Sequence, residues 1–328
     1  MLVLAYFTVV LIWATTPLAI QWSSHGLSFS AAAVSRMTLA AVIAVIIDLL
    51  FRRQLLSHLK NWKLFLAASL GIFPNMPLVY WSAQFIPSGL IAVIFALSPL
   101  ATGLMSWWLL KDNPFTLRRV ISLVIAVLGL ALIFYEQWQL ELKAVWGILG
   151  ILVSSFLFCF SSVLVKKLTQ TQKPPDAFSQ ATGALVFSLP GLWLVWWLQD
   201  GQIPNHLPPM EAWVSILYLT LIGSLIGAAL FFFILQRLAP SIVALITLMT
   251  PMLALCLGNL VANEKLSFEA KVGVCLVLLG LACYINWSLS GVKRKWNQYI
   301  FGCLASVGRE NYFQNHKKNI QDSIDRYK

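Results

Sequence analysis

Charge is what this sequence has least of. Only 11% of its 328 residues are Asp, Glu, Lys or Arg, against about 25% in soluble globular domains. Hydrophobic residues make up 59%. One water-soluble core of this size cannot hide so much apolar surface, so a lipid solvent is expected. Acids are the scarcer sign, 12 against 23 bases. They lie at the ends of apolar runs, between them or in the tail, and Asp48 comes nearest to being embedded. A proton-coupled antiporter of cationic drugs needs an embedded carboxylate to bind cation and proton by turns. Its lack argues against that class and leaves facilitated diffusion or exchange open beside proton antiport.

Metal-binding and catalytic patterns are also lacking. The five cysteines show no C-x-x-C spacing, and His25, His58, His206 and His316 all lie outside the apolar runs. Neither a disulfide nor a zinc framework is expected, and no cofactor. There is no Walker loop, HExxH or GxSxG, and the histidines are too dispersed for an embedded catalytic cluster, so an enzyme is not expected. The net charge of +11 raises the question of nucleic acid. The positive residues sit in short loops and a tail, so no nucleic-acid partner is expected. No basic residue precedes the first apolar run, which reads as a spanning helix rather than a cleaved signal.

What the sequence does have is ten apolar runs of about spanning length: 2–21, 29–51, 63–85, 88–110, 115–135, 144–165, 177–198, 213–235, 241–262 and 272–290. The fold expected is an all-α polytopic membrane protein of ten transmembrane helices. Basic residues set its orientation. Of the loops numbered in order, the odd ones carry only Lys143, Lys265 and Lys271, and Arg36 lies within a run. The other bases, among them Arg52, Arg53, Lys111, Arg118, Lys166 and Arg237, sit in even loops or the tail. Positive charge marks the cytoplasmic side, so both termini are expected there, in a bacterial inner or plasma membrane.

The chain also repeats itself. Pro87 to Leu130 and Pro240 to Leu281 both open on Pro-Ser and place a hydroxyl before a mid-run proline, Ser98-Pro99 and Thr250-Pro251. Both carry an acid thirteen positions later, Asp112 and Glu264, and close on Leu-Gly-Leu at Gly129 and Gly280. Each half holds five spans, an odd number, so the second copy enters the membrane upside down. Residues 1–140 and 141–291 are thus expected as two inverted five-helix repeats, an arrangement suited to alternating access with substrate at the midplane. Residues 292–328 follow as a basic tail. Trp296, Tyr299, Ile300 and Cys303 recur there at helical spacing behind Lys293-Arg294-Lys295, as in a surface amphipathic helix. A solvated tail is the other reading.

These paired stretches, with Trp13-Ala14 in the first span and Arg36 in the second, resemble the drug/metabolite transporter superfamily, specifically its EamA-type branch. The resemblance covers nearly the whole chain up to about Gly291. It departs where the branch usually has Gly-Glu: Lys111-Asp112 and Asn263-Glu264 stand there. The glycine common after the tryptophan is Ala14. The resemblance implies an exporter of amino acids or other small metabolites.

Arg36 is the sharpest candidate for substrate contact. It lies seven residues into its span, roughly 10 Å deep at about 1.5 Å per residue. A charge there costs about 2.5–3.5 kcal/mol even on a lenient scale, so it needs a partner or water. Asp48, twelve residues on, is about 18 Å away along the axis. Arg36 either faces a substrate cavity, pairs with polar groups of another helix, or snorkels to the outer headgroups. In the first case it would neutralise a carboxylate or phosphate. Trp13, Thr15, Tyr80 and Trp81 fall at similar depth, and an arginine among aromatics suits a carboxylate with an apolar body. Asn75, between Pro74 and Pro77, is expected at a helix break lining the cavity. Ser98 and Thr250 are further candidates near the midplane, as are Ser154, Ser155, Ser224 and Thr247, although hydroxyls in spans often bond their own backbone. Pro99 and Pro251 are expected as matching hinges.

The leading expectation is a transporter of small carboxylate-bearing metabolites in the lipid bilayer, with a small-molecule substrate and an oligomeric state left open. The alternatives are a non-transporting membrane protein, either a lipid-modifying enzyme or a scaffold, and a carrier of phosphorylated solutes, which would want several bases in the cavity.

Overall fold

The computed structural model describes residues 2–51, 59–111, 142–199, 201, 207–244 and 246–262, with further positions within 117–132 and 268–283. Asp112, Glu264 and the tail 292–328 lie outside the described residues. Residues 1–281 form one compact unit.

Among the described residues every long element is helical, as apolar runs in lipid require, since only a helix satisfies its backbone hydrogen bonds within one segment. α1 spans Leu2–Ser23 and α2 spans Phe29–Leu50, each 22 residues. That length gives about 33 Å, enough for a hydrocarbon core of about 30 Å. The Ser28 hydroxyl caps α2 by accepting from the Ala31 amide at 3.2 Å. The run at 63–85 does not continue as one helix. It divides into α3 (Trp62–Ser69) and α4 (Asn75–Ser82), with Pro74 at the start of the second piece. Proline has no amide proton to continue the ladder. The next run divides into α5 (Ser88–Phe95) and α6 (Ser98–Leu110), where Pro99 occupies the first turn of α6. α6 ends on Lys111, whose φ of 56° lies in the left-handed region.

α7 (Leu142–Thr171) and α8 (Ala177–Gln199) are unbroken. Asp176 caps α8 by accepting from the amides of Phe178 and Ser179. α9 runs from Met210 to Arg237, 28 residues. Its middle, Leu219–Ile226, is π-helical. The Lys166 ammonium donates to the Leu235 carbonyl at 3.0 Å near the end of α9, where a cation meets the negative end of the helix dipole. A short turn, Pro240–Val243, leads into α10 (Ile246–Ala262), which holds Pro251 inside it. α11 covers Lys271–Gly280.

Six helices among the described residues are long and apolar enough to cross a membrane, counting α5 and α6 as one. Their outer faces carry exposed Leu4, Leu49, Trp108 and Trp197, apolar surface that suits lipid. The principal contacts join early helices to late ones. α1 packs on α9 and α10, α2 and α3 on α8, α4 and α6 on α7, and α5 on α10. The described helical positions Ser122, Ala126 and Gly129 meet α11 at two glycines. A Cβ on Gly129 would stand 2.6 Å from the Gly273 carbonyl and 2.7 Å from the Val277 amide. One on Gly280 would stand 2.6 Å from the Ser122 carbonyl and 2.7 Å from the Ala126 amide.

Candidate functional site

Two broken helices and a π-helical one meet around a cavity of about 170 Å³. α1 contributes Trp13, Thr16, Pro17 and Ile20. α2 contributes Arg36 and Met37. The α3–α4 break supplies Gly71, Ile72, Asn75 and Met76, and α7 supplies Phe158, Ser161 and Ser162. Gly223, Ser224 and Phe231 come from α9, and Thr247 and Thr250 from α10. Arg36 is the charged residue among the lining side chains.

Arg36 is 3% exposed. Its Nε donates to Ser224 Oγ at 2.8 Å, and its Nη1 to the Tyr80 hydroxyl at 3.4 Å. Thr220 Oγ1 donates to the Arg36 carbonyl at 3.4 Å. These partners are neutral hydroxyls. Among the described residues no carboxylate lies within ion-pair distance of the guanidinium; His25 pairs with Glu211 at 3.4 Å, away from it. The guanidinium has five N–H groups. Two are engaged, leaving both on Nη2 and one on Nη1.

Aromatic rings line the same cavity. Trp13 stands edge-on to Phe158 with centroids 5.5 Å apart, and is 5.3 Å from Phe231. Phe158 and Phe231 are 5.3 Å apart. Such a trio offers an apolar bed with quadrupole faces.

The hydroxyls along the wall have their protons committed to backbone carbonyls. Thr16 donates to Ile12, Ser161 to Ala67 and Ser162 to Phe158. Thr247 donates to Ala244, and Thr250 to Thr247. A hydroxyl has one proton and two acceptor sites, so these groups offer the cavity acceptors. Donor strength is concentrated at Arg36.

Six of the sequence candidates line this cavity: Arg36, Asn75, Trp13, Ser224, Thr247 and Thr250. Asn75 sits at a helix break between prolines, fully buried, with both ends of its amide in use. Its Nδ2 donates to the Gly71 carbonyl at 2.7 Å and its Oδ1 accepts from Ser154. Asn75 therefore holds the α3–α4 break in shape while lining the cavity. Tyr80 lies behind Arg36 and orients it without lining the cavity. Thr15 points away from the cavity, to Tyr218. Trp81 packs edge-on against Phe85. Ser98 is buried at the α5–α6 break, where it donates to the Phe95 carbonyl and pairs with Ser155 at 3.1 Å. Pro99 adjoins that break, whereas Pro251 lies inside α10, with a turn at Ala244 preceding it. The two prolines thus stand differently relative to their breaks. Phe158, Phe231, Met37 and Gly223 line the cavity without having been singled out from sequence. The signal that could have found Gly223 is its place beside Ser224, a small pair at mid-span in an otherwise apolar run.

The sequence matches the EamA-like transporter family over residues 1–135 and 145–286. An uncharacterized transporter of Synechocystis is 28% identical over 211 residues, 59% of this chain. That alignment spans 62% of the Synechocystis protein, less than two thirds of its length. Protein PecM of Dickeya dadantii is 28% identical over 245 residues, 71% of this chain and 77% of PecM. A protein of known crystal structure shares the fold, with a TM-score of 0.59 at 16% identity, over 85% of this chain and 94% of its own. The match covers both halves of a chain whose long helices are of membrane-spanning length and hydropathy. This multi-pass integral membrane protein therefore belongs to the EamA-like transporter family.

Proposed function

We propose that the protein exports small carboxylate-bearing metabolites, amino acids foremost, across the bacterial inner membrane. The observation that carries this reading is Arg36, a buried cation on the cavity wall whose described partners are neutral hydroxyls. A buried charge is costly unless an opposite charge meets it. A substrate carboxylate supplies that charge with the planar geometry a guanidinium favours. The aromatic trio receives an apolar side chain. The proton-committed hydroxyls accept from the substrate's own donors, which suits an ammonium group. Phosphorylated solutes are disfavoured, because the lining offers one cation rather than several.

The architecture of this reading is ten spans in two inverted halves, residues 1–140 and 141–291, with a cytoplasmic tail and both termini cytoplasmic. The glycine crossing supports it. Gly129 meets Gly273 and Val277, while Gly280 meets Ser122 and Ala126. Gly280, Gly273 and Val277 follow Gly129, Ser122 and Ala126 by one common sequence offset. Each contact thus exchanges with the other under a two-fold operation, as two copies facing in opposite senses would make it. Transport then alternates access to the cavity by rocking one half against the other.

The test is transport of a panel of labelled amino acids and organic anions by the purified protein in liposomes. Transport of at least one carboxylate-bearing solute, lost in Arg36→Ala, is the expected result. No transport of any panel member, or undiminished transport by Arg36→Ala, would remove the basis for this reading.

A further inference from the structure

One turn of α9 touches Arg36 at three places. Thr220 donates to its backbone carbonyl at 3.4 Å, and Ser224 accepts from Nε at 2.8 Å. Gly223 lies against Nη2, and a Cβ built there would stand 3.2 Å from that nitrogen. These residues belong to the π-helical stretch Leu219–Ile226, and single π-helical turns inside α-helices recur at functional sites. Gly223 and Ser224 both line the cavity with Arg36.

We propose that this π-helical turn is the positioning element of the carboxylate site, with Ser224 as a positioning residue and Gly223 as a determinant of which anions fit. The inference rests on the proposed carboxylate reading of Arg36. A long arginine side chain has many rotamers, and ordering it costs entropy at the moment of binding. Ser224 and Tyr80 fix the guanidinium plane before substrate arrives, from two directions. Their bonds use Nε and one N–H of Nη1, so the Nη2 end stays available to an incoming carboxylate. The missing side chain at position 223 keeps that end clear. A methyl group there would meet Nη2 at less than ordinary van der Waals distance and move it, or occupy the space of a carboxylate oxygen. The other polar wall residues bond backbone carbonyls. Ser224 is the lining hydroxyl that accepts from the cation itself.

The probes are phenylalanine and its carboxamide, phenylalaninamide, which lacks the anionic group. Uptake of each into liposomes is measured for wild type, Ser224→Ala, Ser224→Thr and Gly223→Ala, with the melting temperature of each. A bond to a charged group is worth enough for Ser224→Ala to lower acid uptake about tenfold at sub-saturating concentration. The amide rate stays near wild type, the loss appears in KM, and Ser224→Thr, which keeps the hydroxyl, restores the acid-to-amide ratio. Gly223→Ala lowers the same ratio. If Ser224→Ala reduces acid and amide uptake equally, or leaves both unchanged, the positioning role is overturned while the function stands. If wild type carries neither probe nor any solute of the wider panel, the carboxylate reading falls and this inference with it.

Discussion

Arg36 carries a charge that its described neighbours do not neutralise, and most of the site's chemistry follows from that residue. Lysine cannot reproduce it, because an ammonium is a point charge without the planar fork. Arg36→Lys is expected to keep the fold and raise KM for carboxylate substrates by at least about tenfold. Substrate titration in liposomes checks this, and an unchanged KM would mean that the site needs only a positive charge. Asn75 has a different kind of importance. Ser154→Ala removes the donor to its buried Oδ1. The expected cost is about 1–3 kcal/mol, read as a lower melting temperature, whereas no change would mean that Asn75 finds another donor. Lys111 holds a left-handed conformation where the EamA pattern usually has glycine. Lys111→Gly is expected to raise stability by about 1 kcal/mol, the cost of that conformation for a residue with a Cβ. A fall in melting temperature would count against strain there.

At the scale of the element, the helix breaks and the π-helical turn shape the cavity. α7 fastens both breaks of the early helices. Ser161 donates to the Ala67 carbonyl beside the first break, and Ser154 donates to Asn75 within it. Ser155 and Cys159 reach Ser98 at the second. A hydroxyl stripe along one helix thus holds two interrupted ones without any charge. The break at Asn75 was legible in the sequence, because prolines on both sides announce one. Its closure through Ser154 was not, since a serine in an apolar run most often bonds its own helix. Depth along a span can be counted from residue numbers, and this set Trp13 at the level of Arg36, with which it lines the cavity. The facing of each helix cannot be counted that way. Thr15 and Trp81 share the depth of the cavity yet face elsewhere, while Thr16, next to Thr15, lines it. A π-helical turn adds to the difficulty, because it shifts the facing of everything beyond it, including Phe231.

For the whole molecule, the decisive contact is the backbone crossing of Ser122, Ala126 and Gly129 with α11. Both glycines meet backbone atoms, which cannot rotate away as a side chain end would. Gly280→Leu is expected to destabilise the protein by about 1–3 kcal/mol or more through overpacking. Gly129→Leu should match it closely, because the two positions exchange under the proposed two-fold operation. Thermal melting of both variants checks this, and a large effect at one with none at the other would speak against equivalent halves. The orientation has its own test. Cysteine placed at exposed His25 should react with a membrane-impermeant thiol reagent in intact cells, and cysteine at exposed Lys173 only after permeabilisation. The reverse pattern would invert the assigned topology. The membrane class and the family were legible from scarce charge and repeated motifs, since lipid imposes a coarse and uniform pattern on sequence. Which early helix packs on which late one was not, because apolar faces are nearly interchangeable in composition.

Arg36 is the group proposed to meet a substrate carboxylate. The most direct measurement is counterflow of phenylalanine against phenylalaninamide in liposomes, comparing wild type with Arg36→Gln. Wild type is predicted to prefer the acid by at least about tenfold, the worth of a charge-assisted bond, and Arg36→Gln to lose that preference while still carrying the amide. An acid preference that survives in Arg36→Gln would contradict the account.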